Sequence, residues 1–165
     1  MNLSRVLING FKEQMARDHD NMDINFSIMV LGTNFWPLDP LDSKFDIPTD
    51  VSPLCNHFSE YYRRKHSRRK LVWLWDYSKN KLRMNYLNQE YTLMTSSYHM
   101  AILLQYNDHN TLTLGELVTA TVINKDVLMQ DLKLLVNAGV LINKEKDWYD
   151  LNLSNLLPSS LQLCN

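Results

Sequence analysis

The stretch TLGELVTATVINKDVLMQDLKLLVNAGVLI, residues 113–142, decides how this chain is read. Thr113-Leu114-Gly115-Glu116 has the form of a capping box, in which the threonine hydroxyl and the glutamate carboxylate each accept the other residue's free backbone N–H. It opens a short helix to Ala120. Asn124 caps a longer helix, with Val127, Leu128, Leu132, Leu135 and Val136 facing inward. Gly139 stands where a helix turns left-handed and stops. Val140-Leu141-Ile142 is then a strand.

Asn143 to Asp147 makes a charged turn, and Trp148 to Leu153 a second strand. On the other side, Tyr98 to Tyr106 reads as a helix packed through Met100, Ala101, Leu103 and Leu104. Three helices followed by a β-hairpin is the winged-helix order, so residues 97–153 are expected to form that domain.

The upstream half has a different pattern. Residues 2–18 read as an amphipathic helix, because Leu3, Leu7, Phe11 and Met15 recur every four residues. One such helix cannot bury its stripe alone: either it packs on the domain that follows or it ends a bundle, and because the stripe runs the full length, residues 1–23 are expected to be the last helix of a bundle. Phe26 to Leu31 reads as a strand buried on both faces. A proline-rich loop, Trp36-Pro37-Leu38-Asp39-Pro40, follows. Residues 53–66 read as a helix with Leu54, Phe58, Tyr61 and Tyr62 on its apolar side. A meander of strands is expected at 71–77, 82–87 and 91–94, with turns at 78–81 and 88–90. The expected fold class is therefore α+β: a terminal bundle helix, a small antiparallel or mixed sheet with a crossing helix at 24–96, a winged-helix domain at 97–153, and an uninformative tail at 154–165.

Composition narrows the function. In 165 residues, 45% are hydrophobic and 21% charged, which suits a folded protein. No apolar run has bilayer length, and no cleavable signal peptide is visible. Cys55 and Cys164 have no partner at metal-ligand spacing. The expectation is two reduced thiols in the cytoplasm or nucleus, with chance sequons at Asn2, Asn25 and Asn152. No membrane partner is expected, and the net charge of −1 creates no global field toward polyanions.

Catalytic motifs are missing. The sequence has no GxSxG elbow, HExxH pair, P-loop or GxGxxG run. His19, His57, His66, His99 and His109 are scattered, and Cys55 and His57 point apart on one helix. Asp39 and Asp42 read as solvated loop acids. The expectation is no enzyme, no catalytic residue, no cofactor and no metal.

The sharpest charge feature is Arg63-Arg64-Lys65-His66-Ser67-Arg68-Arg69-Lys70. It can be a nuclear-localisation or nucleic-acid patch, a solvated helix end favoured by the dipole, or a surface for an acidic protein. A DNA-reading helix needs uncompensated cations. The positions read as exposed on the helix after Asn124 are Asn124, Lys125, Asp126, Gln130, Asp131, Lys133 and Asn137, where two acids offset two lysines. The wing Lys144-Glu145-Lys146-Asp147 is also neutral. The charge balance argues against DNA, although a nucleic-acid-binding winged helix using 63–70 remains the alternative.

Trp73 and Trp75 are expected on one face of the strand at 71–77, with Val72 and Leu74 on the other. Aromatic rings fill cores, but a small sheet apolar on both faces needs a further partner, and an open edge can accept a strand from another chain.

Three runs carry a resemblance: Phe26-Ser27-Ile28-Met29-Val30-Leu31 with Trp36-Pro37; Phe58-x-x-Tyr61-Tyr62-x-x-Lys65-His66-Ser67-x-Arg69-Lys70-Leu71-x-Trp73-Leu74; and Tyr91-Thr92-Leu93 running into Ser97 to Asn107. Over about residues 1–150 the chain resembles the cullin family, in wording most like the SCF-type cullins of fungi, scaffolds in cell-cycle ubiquitin ligation. The resemblance implies a non-catalytic scaffold of a RING E3 ubiquitin ligase. It also implies that the α/β domain at 24–96 takes up a β-strand from a RING-box protein. Ile28, Val30, Trp73 and Trp75 are the candidates for packing around that strand. Arg63, Arg64, Lys65, Arg68, Arg69 and Lys70 are the candidate patch for an acidic-tailed E2 enzyme brought by the RING subunit. Arg68 departs from the family's usual glycine. The family's N-terminal repeats and its C-terminal neddylated winged helix have no counterpart in these residues, so a truncated member is expected.

Overall fold

A computed structural model describes residues 3–18, 24–32, 38, 45–84 and 91–153. The chain forms two compact units: Met1–Pro40 with Thr49–Trp73, and Leu41–Pro48 with Leu74–Asn165. Helices and two small antiparallel sheets make the class α+β, as expected.

The first unit is built on two helices, α1 (Leu3–Arg17) and α2 (Ser52–Lys65). Leu7 and Phe11, one turn apart, bury the stripe of α1. In α2, Pro53 occupies the first turn, where its missing N–H removes no helical bond. Leu54, Phe58, Tyr61 and Tyr62 then fall on one face and are buried. The helix stops at His66, whose N–H still reaches the Tyr62 carbonyl at 2.9 Å. Arg63, Arg64 and Lys65 occupy its last turn, where the dipole favours cations. Phe58 is fully buried, and Phe11 meets it edge to face at 5.2 Å.

The second unit opens with a 3₁₀ turn at Trp75–Tyr77 and a hairpin of β1 (Lys79–Met84) and β2 (Tyr91–Ser96). Lys79 pairs with Ser96 and Met84 with Tyr91. The Ser96 side chain accepts from the His99 N–H and caps α3 (Ser97–Leu104), which ends in a second 3₁₀ turn at Gln105–Asn107. Next come β3 (Thr111–Thr113), α4 (Leu114–Thr121), α5 (Lys125–Asn137), β4 (Leu141–Glu145) and β5 (Trp148–Leu151). The Thr113–Glu116 capping box is present in full, and Asn124 caps α5 through the Asp126 N–H. Gly139 takes φ +73, where a β-carbon would be strained. The sheet order is β3-β5-β4. Ile102, Leu117, Leu128, Leu132 and Leu141 are almost fully buried in one core.

Several expectations are corrected. The strand at 71–77 does not form. Residues 71–74 have no regular structure, and Tyr77 N–H bonds the Leu74 carbonyl at 3.2 Å to close the first 3₁₀ turn. The Tyr98 hydroxyl donates to Asp76 at 2.6 Å and holds that turn. Local tertiary contacts outweigh the strand preference of aromatic residues. Residues 78–81 are no tight turn, because β1 already begins at Lys79 and runs to Met84, while residues 85–87 of the expected strand lie outside the described residues. The expected strand at 26–31 is assigned no regular structure, and the segment is not buried on both faces: exposure alternates, and Met29 is 73% exposed. Strand β3, only three residues long, carries no strand signal in its own sequence. The loop residues Trp36, Pro37, Asp39 and Pro40, the turn at 88–90 and the tail at 154–165 lie outside the described residues.

Candidate docking site

The site is assembled in the first unit from the chain's simplest element. Residues 24–32 form neither helix nor strand, yet their burial alternates, with Ile24, Phe26, Ile28 and Val30 packed on the helices and Asn25, Ser27 and Met29 exposed. Period-two alternation is the mark of a strand. Among the described residues, no ladder pairs this segment with another strand. It is fixed to α1 instead. The Ser4 hydroxyl accepts from the Val30 N–H at 2.9 Å and donates to the Val30 carbonyl at 3.0 Å. Phe26 lies 5.6 Å from Phe11, with the Lys12 ammonium over its ring at 5.2 Å.

Ile28, Val30 and Trp73 meet in one cluster around Leu7, Phe11, Leu54, Phe58, Tyr61 and Tyr62. The Trp73 ring lies 5.9 Å from Phe58, and its indole N–H donates to the Ser59 hydroxyl at 3.1 Å. Ser59 in turn donates to the Cys55 carbonyl at 2.7 Å. Trp75 is not brought to this cluster. It belongs to the second unit, where it packs on Phe45 at 5.9 Å. Phe45 also meets Tyr98 edge to face at 5.4 Å. Ser4, Ser59 and Phe45 were missed in the sequence. A serine one turn before Leu7, or one residue past Phe58, carries no signal until its partner is placed.

All six cations of the basic patch are exposed. Arg63, Arg64 and Lys65 close α2, while Arg68, Arg69 and Lys70 follow in the turn and the irregular stretch. Arg64 pairs with Glu60 at 2.5 Å, and that hydrogen bond holds the Glu60 carboxyl below its ordinary value. Lys65 lies over the Tyr61 ring at 5.8 Å. Arg63, Arg68, Arg69 and Lys70 line an open depression of about 470 Å³, with Ser59, Tyr62, Ser67 and Leu71 completing it.

The second unit offers a different surface. Asp131, read as exposed, turns toward α3 and pairs with His99 at 3.1 Å, because it sits on the side of α5 that faces that helix. Lys125, Asp126, Gln130, Lys133 and Asn137 remain outward. In the β4–β5 hairpin, Lys144 is paired with Asp150. No run of uncompensated cations lies along α5, which is what phosphate binding needs.

Cys55 is buried, and burial pushes its thiol up to about 11. Cys164 lies outside the described residues. Among the described residues, no group of three or more His, Cys, Asp or Glu converges, and no helix is long and apolar enough to cross a membrane.

Comparison with known proteins agrees with this architecture. Residues 30–155 match the family described as the cullin alpha+beta domain. Cullin-1 of Dictyostelium discoideum is 36% identical over 146 residues, covering 86% of this chain and 19% of its own length. Cullin-1 of Schizosaccharomyces pombe is 39% identical over 128 residues, 76% of this chain and 17% of its length. Cell division control protein 53 of Saccharomyces cerevisiae is 28% identical over 125 residues, 72% of this chain and 15% of its length. The chain thus spans under a fifth of each of these relatives. A family match over residues 30–155, with relatives 36% and 39% identical over 86% and 76% of the chain, means that the chain belongs to the cullin family.

Proposed function

We propose that this chain is a scaffold segment of a cullin–RING E3 ubiquitin ligase and that its first unit docks a RING-box protein. The observation that carries the proposal is the segment 24–32: strand-like in its alternation, packed on one side, and without a ladder among the described residues. Unpaired backbone groups are costly to bury, and an incoming strand pairs them while its side chains fill alternate pockets. Ile28 and Val30 form the inner face of that edge, and Trp73 braces them through Phe58 and Ser59. Trp75, in the second unit, is a separate candidate contact.

In this reading the chain performs no chemistry. Ubiquitin transfer takes place on an E2 enzyme held by the RING subunit, and the scaffold fixes its position. Arg63, Arg64, Lys65, Arg68, Arg69 and Lys70 offer an acidic E2 segment a steering surface, an effect expressed more in association rate than in affinity. The unit at 97–153 is read as a protein-packing winged helix, since helix, strand, two helices and a hairpin follow in that order. The scaffold would act in the cytoplasm and nucleus in ubiquitin-dependent degradation.

Co-expression with a RING-box protein, followed by size-exclusion chromatography, tests this. Co-elution at one-to-one stoichiometry is expected. Separate elution of two folded proteins contradicts it. Titrating salt against duplex DNA binding tests the nucleic-acid alternative, which requires a steep salt dependence.

A further inference from the structure

We propose that Ser67 is a phosphoacceptor for a serine kinase that selects basic substrates. In Arg63-Arg64-Lys65-His66-Ser67, an arginine stands three residues before the hydroxyl and a lysine two before it. Ser67 alone among the chain's serines and threonines has an arginine at that spacing. Kinases discriminate substrates through charge patterns flanking the acceptor, with acidic residues in their grooves meeting such cations.

The structure makes the site reachable. Ser67 is exposed, in the turn immediately after α2. Arg64 is 63% exposed, and its pair with Glu60 is a surface pair of the kind that contributes little. Helix ends fray most readily, and His66 has already left the helical region at φ −135 and ψ 70. Beyond Ser67, residues 69–74 belong to no helix or strand, so the acceptor's downstream flank breaks no ladder when it enters a groove.

The chemistry is phosphoryl transfer from ATP. The Ser67 Oγ forms a bond to the γ-phosphorus, the bond from that phosphorus to the β,γ-bridging oxygen breaks, and ADP leaves. The hydroxyl proton passes to the kinase's base. The product carries nearly two negative charges at neutral pH. It sits on the depression that Ser67 shares with Arg63, Arg68, Arg69 and Lys70. Charge-assisted hydrogen bonds to these side chains occupy the cations offered to an acidic partner. This consequence, unlike the acceptor assignment, rests on the docking reading above.

The test incubates the full chain with magnesium-ATP and either an arginine-directed or an acid-directed serine kinase, and maps products by mass spectrometry. The first kinase is expected to place one phosphate on Ser67, and the second none there. Ser67→Ala should abolish that phosphate, and Arg64→Gln, with an unchanged circular dichroism spectrum, should slow its addition at least tenfold. An unmodified Ser67, or a rate indifferent to Arg64→Gln, overturns the assignment. Binding to fluorescent polyglutamate is the second readout, expected to weaken at least tenfold on phosphorylation. Unchanged binding overturns the masking of the patch. Failure of the unphosphorylated chain to bind overturns the acidic-partner reading, while the acceptor assignment is decided by the mass data.

Discussion

The Ser4 hydroxyl bridges both backbone groups of Val30, accepting from the N–H at 2.9 Å and donating to the carbonyl at 3.0 Å. At this residue a side chain from the first turn of α1 stands in for a neighbouring strand. Ser4→Ala should leave a partly buried N–H and carbonyl without these partners and cost about 1–2 kcal/mol. Urea unfolding at fixed pH measures the loss. A midpoint shift of less than the experimental error would mean that other contacts hold the segment.

Trp73 makes two contacts within the first unit: it packs on Phe58 and donates to Ser59. Trp73→Ala should destabilise the first unit by about 3 kcal/mol through the cavity it leaves. Trp73→Phe should cost about 1 kcal/mol, since the ring is retained while the indole hydrogen bond is lost. Equal losses in the two variants would show that the N–H, rather than the ring, carries the stability.

Two glycines should respond with opposite signs. A β-carbon on Gly10 would collide with the Tyr61 hydroxyl. That ring is held between Phe11 at 5.4 Å and Phe58 at 6.3 Å, so it cannot swing away. With so close a clash, Gly10→Ala should cost about 2–3 kcal/mol by overpacking, more than the roughly 1 kcal/mol gained in helix propensity. A β-carbon on Gly115 in α4 meets nothing within 4 Å. Gly115→Ala should stabilise by about 0.5 kcal/mol. Thermal melts of both variants check the signs.

The hydrogen bond from Lys144 holds the Asp150 carboxyl below its ordinary range, against the opposing effect of desolvation. A carboxyl lowered in the folded state stabilises the fold above its unfolded pKa of about 3.9. That contribution is lost as pH falls through the lower folded value. The wild-type chain should therefore lose more stability between pH 5 and pH 3 than Lys144→Met does. Identical pH slopes would remove Lys144 as the cause.

Local rules made much of this fold legible. The Thr113–Glu116 capping box, the Asn124 cap and the left-handed Gly139 were readable because each depends on residues within a few positions. The four-residue spacing of Leu7 and Phe11 gave α1 for the same reason. What failed depends on distant partners. Trp73 and Trp75 alternate as a strand would, yet Phe58 and Ser59 engage one, while Phe45 engages the other and the Tyr98–Asp76 bond curls the chain. Strand β3 is three residues long and exists only because β5 returns beside it. Within the site, Ile28, Val30 and Trp73 meet in one cluster. Ser4 was invisible because a serine in a helix gains meaning only once Val30 lies beside it.

Amide hydrogen exchange across residues 24–32, with and without a RING-box protein, tests the central claim most directly. In the isolated chain the amides of this segment should exchange fast, apart from Val30, which Ser4 protects. On binding, alternate amides should gain protection as a strand pairs along them. Strong protection throughout the segment in the isolated chain, or exchange unaltered by a partner that demonstrably binds, would contradict the account.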